Sequence, residues 1–155
     1  MPDGIAMRTR RVMTGVRITD EIDDAAVAEL RERVIAYNVA ATGFRDGRSM
    51  GCFLRDDDGE LIAGLDGFSW GGYAKIEWLW VRDDRRGHGL GRQLMSAAET
   101  EAVRRGFGVV RVDTHTFQAP GFYEKLGYER VGFAADTPVG HGEVFFLKRL
   151  PAAAG

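Results

Sequence analysis

The sequence predicts an α/β (α+β) fold, with a mixed and mostly antiparallel sheet of about seven strands flanked by helices. Three observations support this: short alternating apolar segments, glycine-containing turns between them, and longer segments with apolar residues three and four apart. A chain of 155 residues with 45% hydrophobic content is also long enough for a packed core. We therefore expect one domain over residues 16–150, with tails at 1–15 and 151–155.

The expected order of elements is strand, helix, three strands, helix, strand, helix, two strands. Acidic N-caps, a proline in a first turn and glycine stops set the helix bounds. The predicted strands lie at 16–19, 50–54, 61–70, 73–81, 109–114, 128–133 and 143–150, and the predicted helices begin within 20–24, at Leu90 and at Pro120. Because a helix separates the strands at 73–81 and 109–114, these two should pair in parallel.

Composition excludes several classes of protein. The net charge of −2 and the pI of about 5.9 supply no general attraction to nucleic acid or to a membrane. Cys52 is the single cysteine, which excludes an internal disulfide and a cysteine-based zinc site, and the histidines lack metal-ligand spacing. No stretch reaches the ~18 apolar residues of a membrane span, and residues 1–15 lack a signal peptide's apolar run. We expect a cytoplasmic protein that binds no metal, nucleic acid or membrane.

A basic, glycine-rich turn joins the fourth predicted strand to the second helix. Gly87, Gly89 and Gly91 let backbone N–H groups converge where the helix adds the positive end of its dipole. This combination predicts an anion site that suits a pyrophosphate. Two nucleotide motifs fail on spacing, because Arg92 and Leu94 stand where G-x-G-x-x-G requires its last glycine and no G-x-x-x-x-G-K-[ST] occurs.

Two motifs resemble those of the GNAT N-acetyltransferase superfamily, and the resemblance extends over about residues 16–150. The loop at 86–91, RGHGLG, resembles the [RQ]-x-x-G-x-[GA] acetyl-CoA loop of that superfamily. The segment at 122–128, FYEKLGY, resembles its [LF]-Y-x-x-x-G-[FY] segment. Three further segments resemble a bacterial subgroup of unassigned substrate: 77–81, 113–123 and 145–150. The resemblance implies an N-acetyltransferase with acetyl-CoA as donor.

The resemblance also implies which residues contact the cofactor. They lie at a strand end, in the glycine loop and before the last helix: Leu79, Trp80, Val81, Arg86, Gly87, His88, Gly89, Leu90, Gly91, Arg92, Thr116 and Ala119. Many members have an asparagine at the position of Thr116, where it bonds the pantetheine arm, and a hydroxyl has fewer donors than an amide. A backbone N–H near 79–81 would hold the oxyanion, because the parallel strands must part to admit the arm.

Acetyl transfer to an amine requires a base, because an alkylamine of pKa ~10.4 arrives protonated at neutral pH. Glu77, expected to be part-buried on the strand face of Leu79, is the first candidate. The alternative for Glu77 is an ion pair with Lys75. Asp113 and His115, at the end of the next strand, are either further candidate bases or caps of the following loop.

Tyr123 is the candidate acid for the leaving sulfur. Its phenol, near pKa ~10, would donate to a group whose thiol titrates near ~8.5, a mildly uphill transfer that needs close positioning. The alternative is an aromatic that only packs its helix. We expect Trp78 and Trp80 to fill the core between sheet and helix, and Cys52 to be an inert core residue.

The sequence leaves the acceptor open. The expected function is transfer of an acetyl group to a primary amine of a small molecule. The alternatives are a protein or peptide acceptor, or a non-catalytic acyl-CoA-binding module. The loops at 42–48 and 134–142 should choose the acceptor, and the resemblance is compatible with a homodimer.

Overall fold

The structure is a computed structural model that describes residues 15–16 and 18–151. Within these residues, the α-helices are α1 (Asp24–Thr42), α2 (Leu90–Arg104) and α3 (Pro120–Lys125). The strands are β1 (Arg48–Arg55), β2 (Leu61–Trp70), β3 (Tyr73–Val81), β4 (Val109–His115), β5 (Glu129–Ala135) and β6 (Gly142–Arg149). The chain divides into two compact units, one ending at Ala41 and the other beginning at Thr42. The single domain at 16–150 and its flanking tails remain a prediction.

The first unit contains α1 except for its last residue, Thr42. The start of α1 at Asp24 lies within 20–24, as predicted. Asp23 caps the helix, because its Oδ1 accepts the N–H groups of Ala25 and Ala26 at 3.0 and 3.1 Å. No residue of α1 is buried.

One predicted strand, at 16–19, is wrong for the residues that the structure describes. Val16, Ile18 and Thr19 belong to no strand, and Arg17 lies outside the described residues. Thr19 makes a local turn instead, since its hydroxyl oxygen accepts the N–H of Glu21 at 3.0 Å. Residues 15–16 and 18–151 therefore supply six strands rather than about seven.

The second unit contains a mixed sheet whose strand order is β1-β2-β3-β4-β6-β5. β3 and β4 pair in parallel, and every other neighbouring pair is antiparallel. The predicted fold class and the predicted parallel pair are both confirmed. The crossover from β3 to β4 runs through α2, so the loop before α2 lies at the end of β3.

The core lies between α2 and one face of the sheet. The side chains of Leu94, Met95, Ala98 and Ala102 are the buried residues of α2. Ala97 is exposed and Glu101 is half-buried, because the contact with the sheet follows the row 95, 98, 102. The largest fully buried side chains of the sheet are Phe146, Leu65, Ile76 and Val110.

Candidate active site

A cleft opens where the parallel strands part. β3 and β4 pair with each other from Tyr73 opposite Val109 to Ile76 opposite Val112. Beyond that point the two strands continue but are no longer hydrogen-bonded to each other. The cleft has a volume of about 1150 Å³ and is lined by the parted strand ends, the glycine loop and α3. The strand edges that face it have lost their ladder partners, so their N–H and C=O groups can bind a ligand.

A β-bulge in β3 lies at the point of parting. Asp66 of β2 pairs with Trp78. The next residue of β2, Gly67, pairs with Ile76, which leaves Glu77 without a partner on β2. Gly67 has no room for a side chain, because a Cβ there would collide with the facing carbonyl of β3. The bulge bends β3 away from β4 and re-aims the side chains that follow it.

The bulge reverses which β3 side chains face the core. Ile76 is buried before it, and Leu79 and Val81 pack against the core after it. Trp78 and Trp80 therefore face away and are 73% and 45% exposed. The prediction that these two tryptophans fill the core is wrong. The bulge inserts one residue into β3, which shifts the inward-facing positions by one, and an alternating sequence pattern does not reveal such an insertion. Both tryptophans line the cleft instead.

The Glu77 side chain is exposed and lines the cleft. The expected part-buried position is wrong, because Glu77 is the unpaired residue of the bulge and its side chain is exposed. The alternative ion pair with Lys75 does not form. Lys75 Nζ lies 3.3 Å from Asp113 Oδ1 on β4, and Glu77 has no ion-pair partner among the described residues.

The glycine loop presents free backbone donors to the cleft. Gly87 and Gly89 have φ of 76° and 81°, in the left-handed region that glycine adopts without strain. The first hydrogen bond of α2 runs from the Gln93 N–H to the Gly89 carbonyl. None of the six N–H groups at 87–92 donates to a described protein acceptor. A helix start with unused donors can bind an anion, and the anion site at this loop stays a prediction.

Side chains hold this loop in place. Arg86 Nε donates to the Val81 carbonyl at 3.1 Å, and its Nη2 lies 2.7 Å from Asp83 Oδ1. His88 Nδ1 lies 2.9 Å from the Arg86 carbonyl oxygen, and His88 does not line the cleft. Gly91 lets α3 approach, because a Cβ at this position would lie 3.2 Å from the Phe122 ring.

Charged side chains of both signs line the cleft. The cations are Arg85, Arg86 and Arg92, in or next to the glycine loop, and Lys125 at the end of α3. The carboxylates are Glu77, Asp113 and Glu143 on β3, β4 and β6, of which Asp113 is paired with Lys75. The basic loop therefore suits phosphates, and the strand carboxylates suit a cationic group.

Tyr123 of α3 also lines the cleft. Its side chain is 7% exposed, with its ring packed against Phe122, Tyr128 and Phe146 at centroid distances of 5.1, 6.0 and 5.7 Å. No described group hydrogen-bonds its hydroxyl, and the residue lines the cleft. Burial, with a smaller contribution from the Asp113 charge, raises the pKa of Tyr123 to about 12. The phenol is therefore protonated at neutral pH.

The structure separates Thr116 from the other residues expected to contact the cofactor. The Thr116 Oγ1 accepts the Gly142 N–H at 3.1 Å, and the Thr116 N–H donates to the Gly142 carbonyl at 2.8 Å. Thr116 does not line the cleft, whereas Ala119 does. Sequence reasoning missed Gln118, which lines the cleft two residues after Thr116. The sequence signal that could have identified Gln118 is its side-chain amide, two residues after Thr116, the position where many family members carry an asparagine.

The two further candidate bases lie at the end of β4. Asp113 is occupied by Lys75. His115 Nδ1 lies 3.1 Å from the Thr137 carbonyl oxygen, and its ring stacks on Phe117 with a centroid distance of 5.1 Å. A carbonyl can only accept, so Nδ1 carries the proton in that contact and Nε2 has the lone pair in the neutral ring.

Metal-ligating, membrane-spanning and thiol groups are three further kinds of feature that bear on function in the part of the chain that the structure describes. Within it, no three His, Cys, Asp or Glu side chains gather as metal ligands. None of its helices has the length and apolar character to cross a membrane. Cys52 lies outside the cleft and packs against the core, and burial raises the pKa of its thiol.

Comparisons with known proteins agree on one family. The sequence model of the Acetyltransferase (GNAT) family matches residues 17–128. The chain is 30% identical to Acetyltransferase Atu2258 of Agrobacterium fabrum over 133 residues, which are 86% of this chain and 97% of that protein. It is 39% identical to Blasticidin-S acetyltransferase of Streptomyces morookaense over 94 residues, 59% and 68% of the two chains. A crystal structure of a candidate acetyltransferase from Agrobacterium tumefaciens superposes with a TM-score of 0.82, at 29% identity, and covers 88% of this chain and 99% of that one.

Proposed function

Because the chain belongs to the GNAT acetyltransferase family, we propose that it moves an acetyl group from acetyl-CoA to a primary amine of a small molecule. Acetyltransferases of this family use acetyl-CoA as the donor. The observation that carries the proposal is one cleft that is lined by the glycine loop, by Tyr123 and by three strand carboxylates.

The cleft suits coenzyme A in shape and charge. The free N–H groups at 87–92 would hold the two linked phosphates, and Arg92 and Lys125 add positive charge beside them. Hydrogen bonds to charged groups contribute about 1.5–3 kcal/mol each, so a few such donors suffice for a firm anchor. From this anchor the unpaired strand edge at 79–81 would take the amide groups of the pantetheine arm.

Acetyl-CoA supplies a reactive thioester, and the chain supplies the groups that move protons around it. The protonated amine must first lose one proton to the base, which passes it to solvent. As the C–N bond then forms and the C–S bond breaks, the nitrogen loses a second proton and negative charge develops on the sulfur. Tyr123, with its hydroxyl unbonded by any described group, would donate to that sulfur. Its pKa of about 12 lies ~3.5 units above a free thiol, or ~5 kcal/mol. Full transfer before C–S cleavage is therefore costly, and a hydrogen bond that strengthens with the developing charge is the more favourable role.

Glu77 is the proposed base, acting directly or through one water. It lines the cleft and has no ion-pair partner among the described residues, whereas Asp113 is paired with Lys75. The unpaired backbone beyond Ile76 supports the proposed oxyanion donor, an N–H near 79–81.

The carboxylates that line the cleft favour a small cationic amine as the acceptor. Glu77, Asp113 and Glu143 carry three negative charges there and Lys75 one positive charge, a sum of −2. This field attracts a protonated amine and concentrates it beside the base. One relative, Blasticidin-S acetyltransferase, is named for its acceptor, which supports a discrete small molecule. The cytoplasmic location and the homodimer remain predictions.

Thiol release from acetyl-CoA against a panel of primary amines tests the proposal, with mass spectrometry of the products. We expect at least one cationic small amine to gain a single acetyl group and to release CoA well above the rate without amine. Release only with peptides would instead identify a protein acceptor. If acetyl-CoA is neither bound nor consumed with any amine, the proposed function is wrong.

A further inference from the structure

We propose that Gln118 binds the pantetheine arm of coenzyme A through a side-chain amide that the end of β4 holds in a fixed orientation. The inference rests on the proposed function only in taking acetyl-CoA as the donor. It assigns a cofactor contact to a residue outside the two motifs that carry the family resemblance.

The orientation of the Gln118 amide follows from its hydrogen bonds. Its Oε1 accepts the His115 N–H at 2.9 Å and the Thr114 hydroxyl at 2.8 Å. A backbone N–H can only donate, so the Gln118 atom that it reaches must be the oxygen. The carbonyl end of the amide therefore faces the protein, and the –NH₂ end is left over.

The –NH₂ group has two N–H donors, and no described group accepts from them. Gln118 lines the cleft between the end of β4 and α3, so a ligand in the cleft can accept from these donors. Thr114 is 6% exposed, and its hydroxyl donates to the Gln118 oxygen. A buried hydroxyl used in this way pre-orients the amide before any ligand arrives.

The chemistry of the arm matches these donors. Pantetheine is an uncharged chain with two amide groups, whose carbonyl oxygens accept hydrogen bonds. Thr116, the position that the resemblance favours, is bonded to Gly142 through both its hydroxyl and its N–H and does not line the cleft. Gln118 offers, from the same connection, the amide donors that a threonine lacks.

A purely structural role for Gln118 predicts a different outcome. In that case the oxygen alone matters, since it caps the turn that follows β4. Gln118→Glu keeps an acceptor oxygen of the same shape and removes the –NH₂ group, and Gln118→Leu removes both. Because Gln118→Glu also adds a negative charge, ADP 3′-phosphate, which keeps the phosphates of coenzyme A and lacks the arm, measures the effect of that charge by itself.

The experiment measures dissociation constants by calorimetry for two ligands, coenzyme A and ADP 3′-phosphate, which lacks the arm. We expect Gln118→Glu and Gln118→Leu to weaken the binding of coenzyme A by about three- to tenfold, which is the effect of losing one or two neutral hydrogen bonds. Gln118→Leu, which adds no charge, should leave the affinity for ADP 3′-phosphate within about twofold of wild type, because no contact to the arm is involved. In Gln118→Glu, the affinity for coenzyme A should fall by more than the affinity for ADP 3′-phosphate.

The possible outcomes separate a failure of this inference from a failure of the proposed function. If the Gln118 variants bind coenzyme A as tightly as wild type, or if both ligands weaken equally, the inference is overturned while the proposed function stands. If wild-type protein does not bind coenzyme A, the proposed function itself fails. Should Gln118→Leu not fold, Gln118→Glu alone gives the answer, because it keeps the acceptor that Thr114 and the His115 N–H require.

Discussion

Replacing Tyr123 with phenylalanine is expected to lower kcat by about 10²- to 10⁴-fold, the range for loss of a positioned acid. The affinity for acetyl-CoA should change little, because the ring that packs against Phe122 and Phe146 is retained. The pKa of about 12 also predicts that wild-type kcat shows no loss from Tyr123 ionisation below about pH 11. Steady-state rates across pH, with binding measured separately, check both statements.

Tyr128→Phe is the matched control for this experiment. Tyr128 is equally buried, and its hydroxyl donates to Glu99 Oε1 at 3.0 Å rather than facing the cleft. Its loss should cost stability, about 1–3 kcal/mol for a hydrogen bond to a charged partner, and leave kcat within a few-fold of wild type. A Tyr123→Phe enzyme with wild-type kcat would contradict the acid role.

Gly89→Val is expected to weaken coenzyme A binding by about 10- to 100-fold. Gly89 has φ of 81°, a conformation that costs a non-glycine residue roughly 1–2 kcal/mol and a β-branched residue more. Relief of that strain moves the first turn of α2 and disperses the free N–H groups that converge on the phosphates. Losing even one charge-assisted hydrogen bond brings the effect into this range.

Gly106→Val separates lost binding from lost stability. Gly106 follows the other end of α2 and has φ of 83°, and a Cβ added there, as at Gly89, would meet no atom within 4 Å. Both variants should melt at lower temperature than wild type, and only Gly89→Val should lose affinity for coenzyme A. Equal affinities in the two variants would show that the loop is not the phosphate site.

Much of the second unit could be predicted because its local signals agree. The turn at Gly71 and Gly72, the helix start at Leu90 and the proline that opens α3 each mark an element boundary by backbone chemistry. The parallel pairing of β3 with β4 followed from the helix between them. The prediction of a strand at 16–19 was wrong because it depended only on a short alternation of apolar and polar residues. In the structure Thr19 makes a local turn instead.

The candidate site was predicted less completely, because its geometry depends on long-range pairing. The bulge at Glu77 exists only through the β2 register, so the sequence alone could not place Trp78 and Trp80 at the cleft. Lys75 reaches Asp113 across the sheet rather than Glu77 along its own strand. The role proposed for Gln118 depends on hydrogen bonds to Thr114 and to the His115 N–H, which the sequence does not reveal.

The most direct test of the central claim is a crystal structure of the protein with coenzyme A. We predict both linked phosphates within hydrogen-bond distance of the N–H groups at 87–92, with the arm between β3 and β4 and the sulfur beside the Tyr123 hydroxyl. Phosphates bound elsewhere, with the loop vacant and the sulfur remote from Tyr123, would contradict the account.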